Sequence, residues 1–170
     1  VVAPTAGVYG TLLNQYGIPA RGGTPPVSRG QLVMSLAHLS SQADVRRAVR
    51  GADLAPYVPF RLAVFEPELP ALILSWDGTS QTETIKGHSG LLGTSSSVAP
   101  DAADTSRRAL FERIVADGTV TEELFERLHR SHIPGRGALS VCMHRVDAVT
   151  VSLTRIVTTP ATVRLGYIAG

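Results

Sequence analysis

The chain has 170 residues, 44% of them hydrophobic, with a formal net charge of +2. That is enough apolar material for one substantial core and too little excess charge for a nucleic-acid surface. Of its 16 cationic residues all but Lys86 are Arg, and the densest cluster, Arg46, Arg47 and Arg50, has no interleaved aromatics to stack bases. The longest apolar runs, Leu62 to Phe65 and Ala71 to Leu74, fall far short of the ~20 residues that span a bilayer.

Cys142 is the only cysteine. One thiol makes no internal disulfide, and no signal-peptide pattern is present, so a cytoplasmic protein is expected, with no nucleic-acid or membrane partner and oligomerisation left open.

In chain order, Val8 to Asn14 alternates as a strand and ends in Gln15-Tyr-Gly17. A Pro/Gly-rich stretch from Pro19 to Pro26 then forms a loop. Ser28 with Gln31 is a capping box for a helix carrying Leu32, Leu36 and Leu39 on one face, and Ser41 with Asp44 repeats the signal for a second helix carrying Val45, Ala48 and Val49. Three strands follow, Phe60 to Phe65, Ala71 to Trp76 and Gln81 to Ile85, with Asp77-Gly78 turning the second into the third. A short strand is expected over Leu91 to Ser95.

Pro100 opens a third helix with Leu110, Phe111, Ile114 and Val115 on its buried side, closed by Asp117-Gly118. Thr119 with Glu122 caps a fourth, carrying Leu124, Phe125 and Leu128 and stopping near Pro134. Strands over Leu139 to His144, Ala148 to Ile156 and Val163 to Tyr167 complete the chain. Grouped strands separated by paired helices argue for α+β with mainly antiparallel sheets and against a doubly wound parallel sheet.

His129, His132, Cys142 and His144 are metal-ligand residue types. Their spacing, His-x2-His followed by Cys-x-His, matches no recognised zinc pattern, and nothing in the sequence brings the helix pair to the strand pair, so no metal and no cofactor are assigned. On a strand, Ser140, Cys142 and His144 share a face while Val141 and Met143 take the other. There the thiol and the imidazole two residues on project in parallel ~6–7 Å apart, too far for a direct hydrogen bond. Cys142 is accordingly expected to be structural, and His38 and His88 carry no pattern at all.

The run Gly7-Val-Tyr-Gly-Thr-Leu-Leu-Asn-Gln-Tyr-Gly17 with Ser28-Arg-Gly-Gln-Leu-Val33 resembles the NRDE-motif family, also called the transport-and-Golgi-organisation family. Further resembling segments follow in order: Tyr57 to Leu62, Trp76-Asp-Gly78, Leu92 to Ser97, Arg107 to Phe111 and His129-Arg-Ser-His132. The most specific is Ser140-Val-Cys-Met-His-Arg145 with Thr150 to Thr154 behind it.

The resemblance implies an N-terminal-nucleophile-hydrolase-like αββα sandwich, two mainly antiparallel sheets between helical layers. It implies cleavage of linear amide bonds by a cysteine at the mature N-terminus, whose own amine serves as base. This chain opens at Val1-Val-Ala-Pro without that cysteine or the Asn-Arg-Asp-Glu string. The expectation is therefore a single domain over residues 1–170 that lacks its N-terminal portion, with the nucleophile on an upstream segment or chain.

Carried onto this sequence, the resemblance makes Asn14 the oxyanion-hole amide and Ser95 the second polar active-site residue. It makes Arg107, or Arg108 one position on, the cation that holds an anionic substrate group or a carboxylate. The small-molecule substrate or ligand is not legible in any residue. Because members of the family are linked to haem or lipid handling, a non-enzymatic carrier on the same scaffold is the alternative, although no haem-ligand motif stands out.

Overall fold

A computed structural model describes residues 7–18, 27–87, 90–116, 121–159 and 162–169. The fold is α+β, with a four-stranded antiparallel sheet, a two-stranded antiparallel sheet and four helices. The chain divides into two compact units, Val1–Leu91 and Leu92–Gly170. Among the described residues no helix is long and apolar enough to cross a membrane.

In the first unit β1 (Tyr9–Asn14), β2 (Phe60–Phe65), β3 (Ala71–Trp76) and β4 (Gln81–Lys86) lie in chain order across the sheet. Two helices, α1 (Arg29–Leu36) and α2 (Gln42–Gly51), come between β1 and β2 in sequence. Register sorts the side chains. Asn14, Phe60, Trp76 and Gln81 form one cross-strand row, Leu12, Leu62, Leu74 and Glu83 the next, and Gly10, Val64, Leu72 and Ile85 the third. Since directly paired residues share a face, one face presents Phe60, Leu62, Val64, Leu72, Leu74 and Trp76. All six are buried, in one cluster with Leu32 of α1 and Val45 and Val49 of α2.

Sequence chemistry fixes the ends of these elements. Ser28 accepts from the Gly30 amide at 3.2 Å and Ser41 from the Asp44 amide at 3.0 Å, each supplying a partner to an orphan donor of a helix start. At the β3–β4 turn Asp77 Oδ1 accepts from the Thr79 and Ser80 amides, both at 2.7 Å, and Gly78 takes φ +90°, where a β-carbon would be strained. The loop expected over Pro19 to Pro26 lies outside the described residues.

Glu83 stands in the apolar row of β4, and its charge is met from α2. Arg46 Nε and Arg50 Nη2 both donate to Oε2 at 2.7 Å, and the Glu83 side chain is only 16% exposed. The hydrogen bond from Arg50 holds the carboxyl below its ordinary range; burial opposes this and Arg46 adds to it. Glu83→Gln should therefore cost about 1 kcal/mol near neutral pH. With the folded-state value depressed, the unfolded chain takes up the proton first, so the contribution is present above the ordinary carboxylate range and lost as pH falls through the folded value. Urea unfolding of both proteins at about pH 7 and about pH 3 should show the difference shrinking towards zero at the lower pH.

The second unit holds α3 (Pro100–Val115), α4 (Glu122–His129) and a hairpin of β5 (Ser152–Thr158) with β6 (Val163–Ala169). Thr121 caps α4, accepting from the Leu124 amide at 3.2 Å; Thr119 and the Asp117-Gly118 stop lie outside the described residues. Arg155 of β5 reaches Glu126 at 2.6 Å and Arg164 of β6 reaches Glu122 at 2.9 Å, tying the hairpin to α4.

Three expected strands differ from the structure. Residues 91–95 are not a strand, residues 139–144 run as bends with one bridge from His144 to Val149, and the strand expected from Ala148 starts at Ser152 and runs to Thr158.

Candidate functional site

The middle of the second unit is organised by Arg107, a residue of α3 that is 8% exposed. Every nitrogen of its guanidinium is used. Nε donates to the carbonyls of Leu139 (3.4 Å) and Ser140 (3.2 Å), Nη1 to Thr94 Oγ1 and the Ser95 carbonyl (both 2.9 Å), and Nη2 to the Ala138 carbonyl (3.0 Å). Burial lowers its pKa and the carboxylate of Asp104 opposes that. A guanidinium remains protonated in such surroundings, so these are charge-assisted bonds.

The side chain expected to hold an anionic substrate thus holds two stretches of its own chain, 94–95 and 138–140. Arg108, one position on, points elsewhere and pairs with Asp104 on the exposed face of α3 at 3.1 Å. Ser95 is half-buried and enters this arrangement through its carbonyl.

Beyond the clamp the chain doubles back. Pro134, Gly135 and Gly137 break regular structure after α4, and the Cys142 amide returns to donate to the Ser131 carbonyl at 3.0 Å. The His144 amide donates to the Gly137 carbonyl at 3.3 Å, and the fully buried Ser140 hydroxyl lies 3.0 Å from the Gly137 carbonyl and 2.7 Å from that of Cys142. On the far side the Met143 amide donates to Thr150 Oγ1 at 2.9 Å, while the Thr150 amide donates to the Met143 carbonyl at 2.9 Å.

These main-chain bonds bring three side chains to one point. His132 Nε2 is 3.0 Å from His144 Nε2, and Cys142 Sγ is 3.8 Å from the same nitrogen. The two imidazoles are tilted by 36° with centroids 4.9 Å apart. One ligand-type atom from each of the three residues lies within 4.8 Å of the other two, and all three residues are half-buried.

Burial, then the charge of Arg136 and the neighbouring His144, hold the His132 imidazole below its ordinary pKa. The neutral ring has one donor and one acceptor nitrogen. His129 is not part of the group: its Nδ1 lies 2.8 Å from the Phe125 carbonyl and its ring packs on Phe125 within α4.

This corrects the expected separation of Cys142 from His144. A strand would have kept its thiol out of reach of His144, but bends at 141–142 turn the two side chains together. His132 stands among the ligand-type residues of the sequence, but its meeting with Cys142 and His144 is not read from the sequence; the available signal is the Pro134-Gly135 and Gly137 punctuation that lets residues twelve apart meet.

In the first unit Asn14 ends β1, opposite Phe60, and its Nδ2 donates to the Tyr16 hydroxyl at 2.7 Å. Next to it, Gln15 Oε1 is shielded from solvent with no hydrogen-bond partner among the described residues. His38 is exposed on the turn after α1, and His88 lies outside the described residues. Comparisons of the chain with protein-family models, with curated proteins and with solved structures find no match.

Proposed function

We propose that the chain is the oxyanion and substrate-binding part of an NRDE-family cysteine amidohydrolase of the αββα, N-terminal-nucleophile type. It would act on a linear amide bond, with the nucleophile supplied by an upstream cysteine. The observation that carries the reading is the state of β1. Among the described residues this strand is paired on one side only, to β2, and its sequence Tyr-Gly-Thr-Leu-Leu-Asn has none of the charges or prolines that guard a natural sheet edge.

A strand seated on that edge would run ~4.8 Å from β1, so a residue opposite Asn14 would have its side chain beside the Asn14 amide. Gln15 Oε1 offers an unmet acceptor at the same end. The sheet also carries apolar residues on both faces, with Tyr9, Leu13, Ala63 and Ile73 opposite the helix-covered side, as a sheet covered on both sides requires.

In this reading the N-terminal amine takes the proton from its own cysteine thiol, the thiolate attacks the amide carbonyl, and the Asn14 Nδ2–H donates to the oxyanion of the tetrahedral intermediate. Tyr16 fixes the orientation of that amide.

Intact mass and N-terminal sequencing of the native protein should find a cysteine at the mature N-terminus, labelled by a thiol probe. Asn14→Ala should lower kcat on a cleaved amide on the order of 100-fold with KM little changed. A native protein without an N-terminal cysteine, or an Asn14→Ala enzyme turning over at the wild-type rate, would overturn the proposal.

A further inference from the structure

We propose that His132, Cys142 and His144 form a binding site for one zinc ion, separate from the amidase reading and independent of it. Three ligand-type atoms converge there, with His132 Nε2 and the Cys142 sulfur both approaching His144 Nε2. Without a cation the convergence is awkward, because His144 Nε2 has one lone pair or one N–H, according to tautomer, to share between His132 Nε2 at 3.0 Å and Cys142 Sγ at 3.8 Å. A cation placed between them would satisfy all three.

The distances suit zinc. Zinc sits ~2.0–2.1 Å from an imidazole nitrogen and ~2.3 Å from a thiolate, so a tetrahedral centre sets N···N and N···S edges of ~3.3 and ~3.6 Å. Two of the three separations, 3.0 and 3.8 Å to His144 Nε2, are within a few tenths of an ångström of these edges; the three ligand atoms lie within 4.8 Å of one another, so the edge between Cys142 and His132 is the one that metal would draw in. Thiolate with imidazole is a borderline-soft donor set, one that favours zinc over magnesium or calcium.

The site is also held in advance. Cys142 N to Ser131 O joins the two ligand segments directly, His144 N to Gly137 O and the His144–Val149 bridge fix the second histidine, and Arg107 anchors the stretch leading to Cys142. Ligands fixed by their own backbone lose little freedom when metal enters. Among the described residues the group stops at three ligands, which leaves a fourth position for water or an anionic ligand atom, as in open zinc sites.

The test uses the purified protein after dialysis against a chelator. Cobalt(II), which takes zinc sites and reports their geometry, should bind at one equivalent with a thiolate charge-transfer band and the intense visible bands of a tetrahedral centre, and zinc should bleach them. Cys142→Ser should abolish the charge-transfer band. His132→Gln should weaken zinc binding on the order of 100-fold in a chelator competition, with circular dichroism confirming that both variants fold.

A measurement on the unmutated protein covers a variant that does not fold. Alkylation of Cys142 by iodoacetamide should be suppressed by one equivalent of zinc and restored by chelator. Absence of the cobalt bands, zinc binding of wild-type affinity in Cys142→Ser, or alkylation as fast in excess zinc as without it would overturn the proposal. The last result would assign the thiol to a Cys–His reactive pair instead.

Discussion

Arg107→Met should lower the unfolding free energy by about 3 kcal/mol and Arg107→Lys by about half as much. Methionine fills much of the volume but leaves the carbonyls of Ser95, Ala138, Leu139 and Ser140 without their shared donor. Each charge-assisted bond is worth about 1.5–3 kcal/mol when deleted alone, but such losses do not add, and water re-entering a loosened clamp recovers part of them. Lysine keeps the charge on a single nitrogen and cannot span both stretches of chain, as the planar fork does.

Urea unfolding gives the measurement, with a shift in midpoint at constant slope reporting a native-state loss. A substrate-binding arginine on an exposed helix face would behave otherwise: its removal would leave stability within about 0.5 kcal/mol and raise KM. Arg107 also positions the segment ahead of Cys142, so Arg107→Lys should weaken zinc binding about tenfold although it touches no ligand.

The same guanidinium explains where the sequence misleads. Leu91 to Ser95 reads as a short strand ahead of a polar run, and Leu139 to His144 reads as one because apolar and polar residues alternate in it, the right signal when the carbonyls are free to join a ladder. Here the Ser95, Ala138, Leu139 and Ser140 carbonyls are claimed by one buried side chain from α3. The hydrogen-bonding capacity that would have built a strand is spent on a tertiary clamp, which no local pattern reveals.

Elements whose local chemistry and tertiary role agree were legible instead. Ser41 with Asp44 starts α2, and Asp77-Gly78 turns β3 into β4, both where the sequence places them. The helix-covered face of the first sheet presents Phe60, Leu62 and Val64, buried at the period of 2 that strand geometry imposes. The Cys142 centre was hidden for the opposite reason: its residue types were visible, but their meeting depends on a chain reversal that Pro134, Gly135 and Gly137 permit without dictating.

Phe60→Ala should be the most damaging single change in the first unit, costing about 3–5 kcal/mol. The ring is 0% exposed and lies in the row between Asn14 and Trp76, inside the cluster that joins the sheet to both helices. Its neighbours are held by bonds that resist collapse into the space it would leave. Trp76 Nε1 donates to the Tyr57 carbonyl at 3.0 Å, and the Gln15 amide donates to the Pro59 carbonyl at 3.1 Å.

Domains of this size have only about 5–15 kcal/mol in hand, so the variant should unfold at much lower urea. Phe60→Leu, which keeps most of the volume, should lose no more than about 1.5 kcal/mol. Arg61→Ala is the control, being the next residue on the same strand but exposed on the other face, and it should stay within about 0.5 kcal/mol. Because Asn14 is paired directly with Phe60, the cavity also undermines the platform under the proposed oxyanion amide. Phe60→Leu should therefore reduce amide turnover while remaining folded, and a Phe60→Ala protein as stable as wild type would mean that this row is not the centre of the core.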